Sequence, residues 1–157
     1  MLCYLKRHTQ LKQGVTVQVF QNGDQVVIWG DAIQALSANI PDGSIDLIFA
    51  DPPYNIGKNF NGRKDKAESE EAYLQWCYQW FDLCIQKLNE TGSFYLMAAT
   101  QNMPFFDIYL REKLHILSRI VWFYDSSGVQ ARNYYGSIYE PILFCVKDKE
   151  RNTYSKV

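Results

Sequence analysis

Ile45-Asp46-Leu47-Ile48-Phe49-Ala50, running straight into Asp51-Pro52-Pro53-Tyr54, is the stretch on which the reading of this chain turns. Five apolar residues broken by a single acid, after the turn cluster Pro41-Asp42-Gly43-Ser44, read as a strand buried on both faces, the kind found inside parallel sheets. Pro52 and Pro53 end it, because neither can donate to a ladder. Asp51 therefore stands at a strand's carboxyl end, where α/β sheets collect their ligands.

On the N-terminal side, Thr16 to Phe20 and Gln25 to Trp29 are β-prone runs around Gln21-Asn22-Gly23-Asp24. Asn-Gly between such runs favours a tight turn, because both residues tolerate positive φ, and predicts a hairpin. Gly30-Asp31 leads into a short helix over Ala32 to Ala38, with Ile33 and Leu36 on one face and Asp31 able to cap it.

On the C-terminal side, Pro52 to Glu68 has no periodicity and reads as a surface loop of functional length. Tyr73, Cys77, Trp80, Phe81, Cys84 and Leu88 recur at helical spacing, with Glu70 and Glu71 in the first turn, Lys87 in the last and Thr91-Gly92 as the stop. Ser93 to Ala98 follows as a strand, Asn102 with Pro104 as a helix start, then Ile116 to Tyr124 and Ile142 to Lys147 as strands. Strands alternating with helices predict an α/β domain with a largely parallel sheet.

The 157 residues, 47% hydrophobic, suit a single core. A formal net charge of -1 excludes bulk electrostatic capture of nucleic acid, so any such contact must be local. Cys3, Cys77, Cys84 and Cys145 form no C-x-x-C pair and have no histidine at zinc spacing, since His8 and His115 are the only histidines; no metal is expected. The first residues lack a signal-peptide pattern and no segment stays apolar long enough to span a bilayer, which predicts a cytoplasmic, reduced protein.

Asp51-Pro52-Pro53-Tyr54 carries the chemistry; chance would place that tetrapeptide in a chain this long on the order of once in 2,000. An exocyclic base amine is a poor nucleophile because its lone pair is delocalised into the ring, and acceptors on its N–H groups draw that pair out. An ionised Asp51 can accept one N–H and the carbonyl of Pro52 the other. The two prolines stiffen the turn, and Tyr54 can stack on a base extruded from a duplex. Methylation at ring carbon would need a cysteine nucleophile in a catalytic turn, and none of the four cysteines sits in one.

Trp29-Gly30-Asp31, Ile45 to Gly57, Gly92 to Leu96, Arg119 to Tyr124 and Tyr139 to Lys147 together resemble the amino-methylating DNA methyltransferases of bacteria, above all the adenine-N6 group. The order of motifs, catalytic tetrapeptide first, is similar to the circularly permuted β-type enzymes. The resemblance covers Val26 to Asp148. It implies a Rossmann-like sheet and S-adenosylmethionine as cofactor, with Asp51, Pro52, Pro53 and Tyr54 as catalytic residues. It further implies that Asp31 and Asn55 contact the cofactor, that Ser126, Ser127 and Arg132 face duplex DNA, and that the role lies in DNA methylation of the restriction-modification kind. The family's Phe-x-Gly-x-Gly cofactor loop has no counterpart among the nine glycines, so the sheet is expected to be incomplete, completed by a C-terminal half or a second copy. The implied organisation is an N-terminal segment and hairpin over 1–24, a partial catalytic domain over 25–148 and a tail leading toward target recognition over 149–157.

Blander assignments compete at several positions. Asp31 is as readily a plain helix cap, and Trp122 is better read as core, as are Cys77, Cys84, Trp80 and Phe81, with His115 structural. Lys58, Arg63, Lys64 and Lys66 are as readily a solvated loop as phosphate ligands, given Asp65, Glu68, Glu70 and Glu71 close by. Two further functions stay open: a non-catalytic, truncated or DNA-binding remnant, and methylation of another amine, whether cytosine N4, an RNA base or a protein glutamine.

Overall fold

The computed structural model describes residues 17–60, 63–125, 133 and 136–152. Strands β1 (Gln18–Asn22) and β2 (Gln25–Trp29) form the expected antiparallel hairpin. Asn22 pairs with Gln25, which leaves Gly23-Asp24 as the two-residue loop. Only Gly23 takes positive φ, at +60°, so Asn22 is a strand residue and not the turn residue expected. A loop of II′ type needs the left-handed conformation at its first position alone, where glycine pays no Cβ penalty.

Helix α1 (Ala32–Asn39) starts at Asp31, whose carboxylate accepts from the Gln34 amide at 2.9 Å, and buries Leu36. Strand β3 (Ile45–Ala50) follows. The stretch expected to be plain loop contains a small antiparallel ribbon, β4 (Asn59–Phe60) with β5 (Arg63–Lys64). A ribbon this short leaves no two-residue alternation for sequence patterning to register. Helix α2 (Glu70–Lys87) is capped by the Ser69 hydroxyl on the Ala72 amide, with Glu70 and Glu71 against the positive end of its dipole.

Strand β6 (Leu88–Met97) begins where α2 ends. Thr91-Gly92 is therefore inside the strand and does not stop the helix. Leu88 pairs with Ile45 while Ser93 pairs with Leu47, so the residues between them form an irregular insertion. A Cβ at Gly92 would lie 3.0 Å from the Ile45 carbonyl oxygen and 2.9 Å from Leu88 Cδ2; glycine is there for space. Helix α3 (Met103–Arg111), β7 (His115–Phe123) and β8 (Tyr139–Val146) complete the order.

The main sheet runs β3-β6-β8-β7. Three of its strands point one way, but β8 is inserted antiparallel between β6 and β7, so only β3 with β6 pairs in parallel. The largely parallel sheet that was expected thus holds for strand direction and fails for pairing, because side-chain patterning reports burial and carries nothing about which neighbour a strand chooses. One face packs on the helices: Tyr73, Cys77, Trp80, Phe81 and Cys84 of α2 and Phe106 and Leu110 of α3 are buried with Ile48, Ala50, Phe94, Leu96, Leu143 and Cys145. Phe81 is the hub, edge-on to Phe106 at 5.0 Å and to Trp80 at 4.3 Å between ring centroids. Burial pushes the thiols of Cys77 and Cys145 up to about 12, which makes them inert packing groups.

The other face is open among the described residues. Leu47, Phe49 and Ile120 are exposed on it, and Tyr95 stacks on Phe144 with ring centroids 4.6 Å apart. Trp122, expected in the core, is 60% exposed, because the helices pack on the opposite face. At the lower edge α3 is pinned to β7 by Asp107, which takes the Arg111 guanidinium and Arg119 Nε at 2.6 Å. Burial opposes the ionised Asp107 carboxylate, but the hydrogen bonds from Arg119 and Arg111 outweigh it and hold the group below its ordinary range.

Candidate active site

Asp51 lies one residue beyond β3, at the carboxyl end of that strand. The carboxyl ends of β6 and β7 and the amino end of the reversed β8 meet at the same edge of the sheet. A cavity of about 580 Å³ opens there, lined by Asp51, Pro52, Pro53 and Tyr54 from the tetrapeptide, Met97 from β6, Trp122 and Tyr124 from β7 and the residue after it, and Glu140 from β8, with Ile56, Lys58 and Asp65 from the following loop. Three carboxylates stand against one lysine in that lining, a setting suited to cationic or N–H-bearing groups.

The tetrapeptide is held almost atom by atom. Three successive amides, from Tyr54 onward, converge on one carboxylate: Asp65 accepts from Tyr54 N at 3.0 Å, Asn55 N at 2.9 Å and, more weakly, Ile56 N at 3.4 Å. The Tyr73 hydroxyl donates to the Pro53 carbonyl at 2.6 Å, and the buried Asn102 donates its side-chain amide to the Tyr54 carbonyl at 3.1 Å. Asn55 takes φ +60°, tolerable for asparagine, and its Oδ1 accepts from Ala67 N at 2.7 Å. The Pro52 carbonyl accepts no hydrogen bond among the described residues, and Asp51 is engaged through Oδ1 alone, so both of these lining residues keep acceptor capacity.

The Tyr54 hydroxyl reaches two carboxylates, Asp51 Oδ1 at 2.8 Å and Glu140 Oε2. Burial first, then the hydrogen bonds to Glu140 and Asp51, raise this phenol far above its ordinary value. It therefore stays a neutral donor.

Of the residues expected at the site, Asp51, Pro52, Pro53 and Tyr54 come together. Asp31 caps α1 and Asn55 ties the loop to Ala67; neither is among the cavity-lining residues. Ser126, Ser127 and Arg132 lie outside the described residues. Sequence reasoning missed Asp65, Asn102 and Glu140. Asp65 is hidden in a run of mixed charges, Asn102 is the helix start expected but turns its side chain to Tyr54 instead of capping, and Glu140 carries no local signal beyond being an acid inside an apolar strand.

Residues 45–157 match the family model of the N6/N4 DNA methylases, described as DNA methylase. The chain belongs to this family. It is 48% identical over 145 residues, 92% of its length, to the DNA adenine methyltransferase YhdJ of Escherichia coli K12, and 31% identical over 84% of its length to the type II methyltransferase M.HpaI of Haemophilus parainfluenzae. The matches cover 49% and 42% of those proteins, so the chain spans about half the length of the curated relatives it matches. Among solved structures the fold resembles a putative DNA modification methylase of Thermus thermophilus (TM-score 0.58, 20% identity, 82% of this chain and 55% of that one). It also resembles the cytosine-N4-specific PvuII DNA methyltransferase (TM-score 0.55, 17% identity, 76% and 48%). These likenesses establish a Rossmann-like methyltransferase fold.

Proposed function

We propose that this chain carries the base-amine pocket of a DNA adenine-N6 methyltransferase that uses S-adenosylmethionine. The observation that carries the reading is the presence of Asp51 and Pro52 in the cavity lining, on a turn whose Tyr54 and Asn55 amides and Pro53 and Tyr54 carbonyls are already hydrogen-bonded elsewhere. An adenine N6 amine seated there gives one N–H to Asp51 and the other to Pro52, which draws its lone pair out of the ring toward a methyl donor. Because the acceptors are fixed before the base arrives, little reorganisation is needed at the moment of reaction. Tyr54 offers a ring for the extruded base to stack on.

The residues present suit the cofactor in part. Asp51, Asp65 and Glu140 give the cavity the negative character that a sulfonium favours, and when bound the cofactor supplies an activated methyl group. Asp31 is proposed as a further contact through its second oxygen, since only Oδ1 is engaged in the cap; Asn55 is proposed beside it. Ser126, Ser127 and Arg132 are proposed to face duplex DNA, in a modification methylase of the cytoplasm. The uncovered sheet face supports completion of the cofactor side by further polypeptide or a second copy.

The test is transfer of labelled methyl from S-adenosylmethionine to amplified, unmethylated bacterial genomic DNA, with the product nucleosides resolved by mass spectrometry. N6-methyldeoxyadenosine from the wild-type chain, and none from Asp51→Ala, is the expected result. N4-methyldeoxycytidine would move the substrate to cytosine; absence of any methylated nucleoside, or an undiminished Asp51→Ala, would overturn the reading.

A further inference from the structure

A phenol has one proton, and the Tyr54 hydroxyl stands within hydrogen-bonding reach of two carboxylate oxygens, one on Asp51 and one on Glu140. It can satisfy only one of them at a time. Asp51 is also the group that must accept from the incoming amine, and a hydroxyl already on Oδ1 occupies part of that capacity. The structure therefore contains a competition at the catalytic acceptor and, 86 residues along the chain from Tyr54, a second acceptor able to resolve it.

We propose that Glu140 is a positioning residue that draws the Tyr54 hydroxyl away from Asp51 when the substrate amine arrives. This rests on the base-amine reading of the pocket. Glu140 is well placed for the task, because it pairs with β7 and β8 joins β6 two residues further on, from Ile142, so its backbone is held by the sheet. Its partner on β7 is Trp122, another lining residue. With the hydroxyl anchored on Glu140 the Tyr54 ring is also held at its far end, while Asp65 and Asn102 fix its backbone; the stacking platform is thereby set in plane before a base enters. The other ionisable groups on the cavity are Asp65 and Lys58 from the loop and Tyr124 just beyond β7, and the two carboxylates of Asp51 and Glu140 are the hydrogen-bond partners of this hydroxyl.

A double-mutant cycle tests the proposal. In the methyl-transfer assay Glu140→Ala should lower kcat/KM by about ten- to a hundredfold, the size of one hydrogen bond to a charged group, while Glu140→Gln, which keeps a side-chain acceptor, should recover most of the loss. In the Tyr54→Phe background, where no hydroxyl competes for Asp51, Glu140→Ala should change the rate by no more than about twofold. An equal loss in both backgrounds would mean that Glu140 acts through packing and would overturn the proposal. A second readout needs no turnover: with ring-labelled tyrosine, assigned by Tyr54→Phe, the Tyr54 Cζ resonance of the free chain should move in Glu140→Ala as well as in Asp51→Ala, since the hydroxyl reaches both carboxylates. A Cζ resonance indifferent to Glu140→Ala would overturn the clamp even in an active enzyme, whereas a silent methyl-transfer assay with the Cζ response intact would overturn the adenine reading and leave the clamp standing.

Discussion

Asp65→Ala should loosen the catalytic turn without unfolding the domain. The Asp65 carboxylate takes two amides at good distance, Tyr54 at 3.0 Å and Asn55 at 2.9 Å, and a third, Ile56, at 3.4 Å, too long to count for much. Backbone hydrogen bonds to a charged acceptor contribute about 1.5–3 kcal/mol each in buried settings. Asp65 is only half-buried, so about 2–4 kcal/mol for the group is a fair expectation, equivalent to an increase in local opening of roughly 30- to 1,000-fold. Amide hydrogen exchange reads this directly. Protection should fall by that factor at Tyr54, Asn55 and Ile56 and remain unchanged at Cys77 and Phe81 in α2, and Asp65→Asn should lie between, having one neutral oxygen where the carboxylate has two charged ones. If the three loop amides of Asp65→Ala exchange as slowly as those of the wild type, the carboxylate is not what holds the turn and the reasoning fails.

Phe81→Ala should cost about 3–5 kcal/mol in urea unfolding, since the ring is fully buried at the junction of α2, α3 and the sheet; a cost under about 1 kcal/mol would mean that the helices do not share this core. Asp107 gives a pH signature. Its folded pKa is depressed below 3.8, so its stabilisation is complete above the ordinary carboxylate value and is lost as pH falls through the folded one. Asp107→Asn should therefore be less stable than the wild type at neutral pH, with the gap closing as the pH falls through the depressed folded value; a gap that does not narrow on acidification would count against the ion pair. Loss of all methyl transfer in Asp51→Ala, with unfolding unchanged, is the expected outcome for the catalytic acceptor.

Where local chemistry decides structure, the sequence could be read closely. The helix with Glu70 and Glu71 at one end and Lys87 at the other, the strand that stops at two prolines and the cap at Asp31 all come from groups within a turn or two of one another. The misreadings have a common cause. Gly92 reads as a helix stop and is a site of close packing against Ile45; Trp122 reads as core and stands on an uncovered sheet face. In each case the deciding neighbour lies tens of residues away, and residue type alone cannot name it.

The sequence by itself determined the alternation of strands and helices, the position of Asp51 at a strand end and the kind of chemistry that the tetrapeptide can do, because backbone restriction, periodicity and acceptor character belong to the residues themselves. Only the tertiary structure decided that β8 lies reversed between β6 and β7 and so delivers Glu140 to the Tyr54 hydroxyl, and that the Asp65 carboxylate gathers the amides of the turn. The Glu140 contact closes over 86 residues of chain and the Asp65 contact with Tyr54 over 11, across a loop without periodicity. Their formation depends on how sheets and loops pack as a whole, which no local propensity encodes.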